Sequence, residues 1–272
     1  MTAAALPHRA GAAFLNTILA GMLAFLLLPI LFVIPLSLSA GEFFIYPMPG
    51  LSLRWYEEFF SDRAWISSLW SSVVVATSTM VLATALGTLA AIGLWQSRSR
   101  LGMVILAVLV SPLIIPVVVV AIALFFFYAR LGFASSMWSL VMGHTAIALP
   151  LVVLTVAATL QTYNPTLTRA AASLGASPVR AFFDVMLPLI APGVATGALL
   201  AFAMSFDECV LSLFLGSPEQ RTLPRQLFSG LRESITPVVA VAATLIILLA
   251  SVLLVASLLL KARAEKLRGG GP

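Results

Sequence analysis

Six long apolar blocks, separated by shorter polar stretches, organise this chain. A membrane-crossing helix needs roughly 20 predominantly apolar residues. The blocks predict such helices over about residues 12–38, 67–95, 101–127, 137–160, 189–215 and 237–260. The first block follows Arg9 and precedes SLSAG, as a secretory signal would. It is longer than the roughly 7–15-residue apolar region of such signals, so a retained helix is expected. Prolines within spans are tolerated where neighbouring helices, hydroxyls or water satisfy the freed carbonyls. Pro29, Pro35, Pro112 and Pro116 therefore predict kinks rather than breaks in the pattern. The expected fold is all-α and polytopic, six helices in one bundle.

The polar stretches carry their own signals. Residues 41–63 include SLRWYEEFFSD, which predicts a short amphipathic helix at the membrane surface. Tyr and Trp favour that interface, and either an anchor or a docking role fits. Residues 216–236 (GSPEQRTLPRQLFSGLRESIT) are polar with Pro and Gly breaks, and predict a short re-entrant or surface helix. Residues 169–188 (RAAASLGASPVRAFFDVMLP) form a moderately polar stretch with an Ala run, a hinge at Gly175 and a stop at Pro188. In so apolar a chain, that segment is built to be gripped from outside the membrane.

Composition narrows the class. The chain is 61% hydrophobic and only 9% charged, with a mean hydropathy of +1.10, whereas soluble domains carry about 25% charged residues. Its single cysteine, Cys209, excludes a disulfide framework and a cysteine metal site. His8 and His144 are its only histidines, and no HExxH, GxSxG or Gly-rich phosphate loop is present. No catalytic residue, metal or cofactor is therefore expected, and any ATP-hydrolysing engine belongs to another polypeptide.

The net charge of +5 concerns orientation rather than a nucleic-acid partner. With a cytoplasmic N-terminus, the inner side holds Arg9, Arg98, Arg100, Arg169, Arg180, Lys261, Arg263, Lys266 and Arg268. The outer side holds Arg54, Arg63, Arg130, Arg221, Arg225 and Arg232. Cytoplasmic loops carry the excess of Lys and Arg, so both termini and residues 169–188 are expected in the cytoplasm.

The 169–188 segment resembles the cytoplasmic loop motif of binding-protein-dependent ABC importer permeases: EAA, three residues, Gly, nine residues, Ile, one residue, LP. Ala170, Ala171, Gly175, Val185, Leu187 and Pro188 fall in register, with Val185 in place of Ile. Arg169 stands where the motif has Glu. Other stretches are similar to the spermidine/putrescine-type subfamily: SLRWYEEFF, SPLIIP, GHTAIALPLVVLTV and SFDECVLSLFLGSPEQRTLPRQLFSGLRESITP. They are nearest its second permease subunit.

The resemblance implies a type I importer fold, with a tail at 1–12, a first helix and external segment at 13–64, a transmembrane domain at 65–260 and a tail at 261–272. Residues 161–188 would be the coupling loop, two short helices seated in a cleft of a cytoplasmic ATPase subunit. It also implies a homologous permease partner, two ATPase subunits that bind the ATP, an external solute-binding protein, and an inner-membrane location. The solute class it suggests is small and cationic or amine-bearing.

The acidic pair Asp207–Glu208 is the costliest feature of the fifth block. A charge at the bilayer centre costs about 2.5–3.5 kcal/mol on insertion scales, so it faces a cavity or a partner. On a continuous helix, Ser205, Glu208, Cys209 and Ser212 form one polar stripe, extended back through Ala201 and Ala198. On that pattern Glu208 faces the translocation path together with Ser205 and Ser212, while Asp207 lies at its rim or pairs with an Arg of the partner. Bracing of the bundle by both carboxylates is the competing explanation. A self-contained channel or secondary transporter using the pair is the alternative function, although no inverted repeat is evident. His144 is expected to be a buried histidine bonded to a backbone carbonyl, and Gly87 and Gly93 suit close helix contact.

Overall fold

The computed structural model describes residues 6–97, 99–233 and 236–269. Side chains are described for all of these except residues 6–13, 233 and 260–269. His8, Arg9, Arg98 and the four cations from Lys261 to Arg268 thus fall outside the residues whose side chains are described.

The chain separates into two compact units, Met1–Asp62 with Gly230–Leu248, and Arg63–Ser229 with Leu249–Pro272. In the first unit, α1 (Leu6–Ser37) continues through Pro29 and Pro35 without interruption. Phe14–Ser37 is apolar enough to cross a membrane, and none of its most apolar stretch is covered by protein. Phe25 and Met22 are among the exposed side chains that such a helix would present to lipid. After α1 the chain folds back. Ser39 pairs with Leu51 in an antiparallel bridge, and the Ser37 hydroxyl bonds the Tyr56 hydroxyl at 2.8 Å. The amphipathic helix expected here is α2 (Arg54–Ser61), which buries Trp55 and Phe59 and exposes Glu57 and Glu58.

The second unit is built around α3 (Arg63–Gln96), α6 (Met137–Leu160) and α9 (Leu187–Asp207), which pack against one another. Small residues allow the approach: a Cβ on Gly87 of α3 would stand 2.8 Å from Val152 of α6, and one on Gly197 of α9 would stand 3.2 Å from the Val152 backbone. Val152 itself is fully buried. One apolar cluster collects Ala83, Val152, Val156, Leu160, Tyr163, Met186 and Ile190, and a second collects Val75, Tyr128, Leu140, Ile147, Leu211 and Leu215.

The third apolar block departs from the expected kinked span. It forms α4 (Arg100–Val110), a 3₁₀ turn at Ser111–Leu113, and α5 (Val117–Arg130), and the two arms bend by 104°. Neither arm has the roughly 20 residues needed to cross alone; together they make one broken span or a re-entrant loop. Pro116 is the cause: it lacks an N–H, forces the preceding residue away from helical geometry, and itself sits in an extended conformation (φ −53°, ψ 128°).

Two further boundaries moved. The fifth helix starts at Pro178 rather than near Leu189. It runs through α8 (Pro178–Ala181) and a π-turn at Phe182–Met186 into α9. Pro188 does not stop it. Proline offers no N–H to the carbonyl four residues back, and the π-turn, closed by Leu187 N–H to the Phe182 carbonyl, absorbs the mismatch just before it. At its far end the helix breaks at Glu208–Cys209, and a six-residue helix, α10 (Val210–Leu215), follows. Beyond it, α11 (Leu223–Glu233) is the helix expected in the 216–236 stretch, and α12 (Val238–Gly269) closes the chain.

Candidate functional site

The 161–188 segment is specified by local rules. The Asn164 side chain accepts from the Thr166 N–H at 3.0 Å and caps α7 (Pro165–Ser173), with Pro165 in its first turn. At the other end, Ala176 N–H reaches the Ala171 carbonyl and Gly175 N–H the Ala172 carbonyl. That is a Schellman turn, and Gly175 takes the positive φ of 90° it requires. The Ser177 hydroxyl then caps α8 by accepting from Arg180 N–H at 3.3 Å, with Pro178 in the first turn. Two short helices result, as the resemblance implied. The Asn-Pro and Ser-Pro pairs at 164–165 and 177–178 are helix-start signals readable in the sequence.

Its tip and its feet differ in surroundings. Leu174 is 90% exposed, and Val179, Phe183 and Leu167 are also exposed. Arg169, Ala170, Gly175 and Pro188 are exposed, while Ala171, Val185 and Leu187 are half-buried. The feet are fixed: Tyr163, Ala181 and Met186 are buried, Tyr163 stacks edge-on against Trp95 at 5.7 Å, and its hydroxyl bonds Thr168. Arg180 pairs with Asp184 at 3.2 Å on the exposed face, a contact worth at most about 1 kcal/mol.

The acidic pair lies at the helix break, not in mid-helix. Glu208 is extended (φ −75°, ψ 114°), so the stripe through Ser205, Glu208, Cys209 and Ser212, which required continuous helical geometry, does not form. The Glu208 carboxylate instead accepts from the N–H groups of Val210 (2.7 Å) and Leu211 (3.1 Å). Asp207 is exposed at the end of α9.

Ser205 and Ser212 are buried, and His144 joins them. Its Nδ1 is 2.8 Å from the Ser205 hydroxyl and its Nε2 3.5 Å from that of Ser212. His144 is buried as expected, and it meets the Ser205 backbone as well as the Ser205 and Ser212 hydroxyls, because it sits opposite the break between α9 and α10. Sequence reasoning also missed Arg225, which it counted only as an outer cation. Arg225 Nη1 donates to the Ser212, Gly216 and Ser217 carbonyls at 3.0 Å each. Only the break at 208–209 would have exposed the need for that cap.

Leaving a buried hydroxyl unpartnered costs about 1–3 kcal/mol. His144→Ala, which strands Ser205 and loosens Ser212, is therefore expected to lower the detergent-phase melting temperature. His144→Ala combined with Ser205→Ala should recover part of the loss. Equal melting of His144→Ala and the parent would show that this bridge contributes nothing.

This arrangement of helices is shared with solved transport proteins. Over 96% of this chain and 99% of the matched chain, it superposes with a TM-score of 0.72 on a bacterial ABC transporter involved in the import of the acidic polysaccharide alginate, at 16% identity. A bacterial alginate ABC transporter in complex with an alginate pentasaccharide-bound periplasmic protein gives a TM-score of 0.68 over 96% of each chain, also at 16% identity. The fold is that of an ABC importer transmembrane subunit. Residues 83–268 match the family described as binding-protein-dependent transport system inner membrane component, and the chain belongs to that family. It is a multi-pass protein of the bacterial inner membrane.

Among curated relatives, the spermidine/putrescine transport system permease protein PotC of Shigella flexneri is 31% identical over 91% of this chain and 93% of its own length. The putrescine transport system permease protein PotI of Escherichia coli K12 is 30% identical over 90% and 89%. The molybdenum transport system permease protein ModB of Mycobacterium bovis is 34% identical over a shorter stretch, 70% of this chain and 76% of its own. Family membership sets aside the self-contained channel or secondary transporter.

Proposed function

We propose that this chain is the permease subunit of an ATP-driven importer for a small cationic, amine-bearing solute of the polyamine class. It pairs with a homologous permease, receives solute from an external binding protein, and engages two cytoplasmic ATPase subunits through residues 161–188. Both termini face the cytoplasm, and the ATP is bound by the partners. Closure of the ATPase pair pushes the coupling loop, the helices open outward, and hydrolysis resets the inward-facing state.

One observation carries this reading: an exposed apolar tip on rigid, buried feet. Leu174 and Val179 stand free, while Tyr163 and Met186 are packed in the cluster that holds Val152, Val156 and Ile190. A force on the tip is delivered to α6 and α9 rather than dissipated in a floppy loop. Arg169, where the motif has Glu, is exposed on α7 and asks for an acidic contact on the ATPase. The solute class is supported by the PotC and PotI relatives and by the carboxylate pair, whose free member would attract a cation.

The test is copurification. The tagged chain, expressed with its neighbouring transporter genes, should bring down an ATPase subunit. Leu174→Glu should reduce that yield sharply while leaving the amount of chain in the membrane unchanged. Undiminished capture by the Leu174→Glu chain would remove the loop from the contact.

A further inference from the structure

Between Glu42 and Arg54 the chain carries no charge: residues 43–53 read FFIYPMPGLSL. They form a short hairpin after α1. Ala40 N–H donates to the Gly50 carbonyl at 2.9 Å and Ser52 N–H to the Leu38 carbonyl at 2.8 Å, on either side of the Ser39–Leu51 bridge. The base of the hairpin is polar and tied to α2. The Arg54 guanidinium reaches Glu42 at 3.7 Å and lies 4.1 Å over the Trp55 ring, and Trp55 Nε1–H donates to the Gly41 carbonyl at 3.1 Å. Beyond that base the surface is apolar: Phe43, Ile45, Tyr46, Leu51 and Leu53 are each more than half exposed. Phe43 to Tyr46 are exposed in succession, whereas an extended segment docked on a protein covers alternate positions.

The hairpin doubles back along α1. Tyr46 meets Phe32 edge-on with ring centroids 6.2 Å apart, and Phe32 lies five residues before the end of α1 at Ser37. At 1.5 Å per residue the tip returns about 7.5 Å along the helix, to the side of an exposed residue of a membrane-crossing segment. The amphipathic α2, by contrast, has already spent its apolar face. Trp55 and Phe59 are buried within the protein, Phe60 is the one apolar side chain of α2 left exposed, and Glu57 and Glu58 face outward.

We propose that the 43–53 hairpin, and not α2, is the membrane anchor at this end of the chain: it seats its aromatic and aliphatic side chains among the phospholipids of the leaflet that the C-terminal end of α1 reaches. In the orientation proposed above, that is the outer leaflet. The hairpin stops at the boundary of headgroups and acyl chains, because irregular backbone exposed to lipid is not tolerated in the hydrocarbon core, and Tyr favours that boundary. Glu42 and Arg54 keep its base in water. No protein covers the most apolar stretch of α1, and an uncovered helix adjusts its tilt to the bilayer thickness. The anchor, joined to Phe32 through Tyr46, fixes the depth of the end of α1 that it adjoins.

The tagged full-length chain, with the subunits that copurify, is reconstituted in bilayers of phosphatidylethanolamine and phosphatidylglycerol. In a Cys209→Ser chain, Phe43→Cys, Ile45→Cys, Leu51→Cys or Glu57→Cys is labelled with a nitroxide. Collision with oxygen, which concentrates in lipid, and with a water-soluble nickel chelate then gives the depth of each label. Labels at 43, 45 and 51 should lie about 5–10 Å into the headgroup–acyl boundary, and the label at 57 should lie in water. Ile45→Glu with Leu51→Glu should shift the label at 43 out to the chelate, whereas Ile45→Leu with Leu51→Ile should leave it at depth.

Labels at 43, 45 and 51 as open to the chelate as that at 57 would overturn the anchor. Labels shielded from both reagents would overturn it in favour of a protein covering the hairpin. A label at 43 that keeps its depth beside the two glutamates would do so as well, since apolar side chains would not be what seats it. The depths need no solute and no ATPase, so a wrong solute class leaves the anchor standing.

Discussion

Gly175→Val should sharply reduce uptake while the chain still inserts and folds. Gly175 is the left-handed residue of the Schellman turn between α7 and α8, at φ +90°. A β-branched residue is strongly disfavoured there, at a cost of about 1–2 kcal/mol for the left-handed conformation alone. A Cβ at this position would meet nothing within 4 Å, so the effect is backbone strain and not a clash. The strain is relieved by re-aiming α8, and with it the exposed tip at Leu174 and Val179. Because each 1.4 kcal/mol is about tenfold in an equilibrium, the fraction of loops in the docking geometry should fall by roughly an order of magnitude. A series distinguishes geometry from mere loop identity. Asn, which tolerates the left-handed region, should retain most uptake, Ala less and Val least. ATPase copurification should follow the same order. If Val and Asn behave alike, the Schellman geometry is not what the ATPase reads.

Much of this loop was legible from residues alone. The Gly-to-LP spacing placed Gly175, Leu187 and Pro188, and Asn-Pro and Ser-Pro mark both helix starts. Composition and block length located every apolar segment, because the bilayer requirement of about 20 residues acts on the sequence directly. Where helices break was harder to read. Pro112 and Pro116 were expected to bend one helix, but the 104° turn depends on Pro116 adopting an extended conformation, which neighbouring packing decides. The break at Glu208–Cys209 carries no Pro or Gly at all. Besides the local Glu208 cap, it is braced by side chains distant in sequence, His144 and Arg225, and no local pattern announces such partners. That is why the polar stripe expected on a continuous helix dissolved, and why Glu208 is a cap.

The crossing of α6 and α9 nearest the loop carries the second large effect. A Cβ on Gly193 would stand 2.0 Å from the Thr159 hydroxyl oxygen and 2.7 Å from the Thr159 Cβ, far inside contact distance. Thr159 lies at the end of α6, just before the loop, and Gly193 lies in the second turn of α9, just after it. The crossing therefore sets the separation of the loop's two feet. Gly193→Ala should cost at least the 1–3 kcal/mol typical of overpacking, roughly, because the close atoms include the branch carbon of Thr159 and not only the end of a flexible side chain. It should lower both the melting temperature in detergent and the maximal uptake rate. The rescue should be graded. Thr159→Ala removes the hydroxyl and leaves the branch carbon, so it should relieve part of the defect; Thr159→Gly removes both and should relieve more, offset by about 1 kcal/mol of lost helix propensity. In a double-mutant cycle this is an interaction energy above about 1 kcal/mol, within the range for residues in direct contact. Additive effects of Gly193→Ala and Thr159→Gly would mean that the helices accommodate the methyl by sliding. In that case the feet of the loop would not be held at a fixed separation, and the rigid-lever account of coupling would lose its basis.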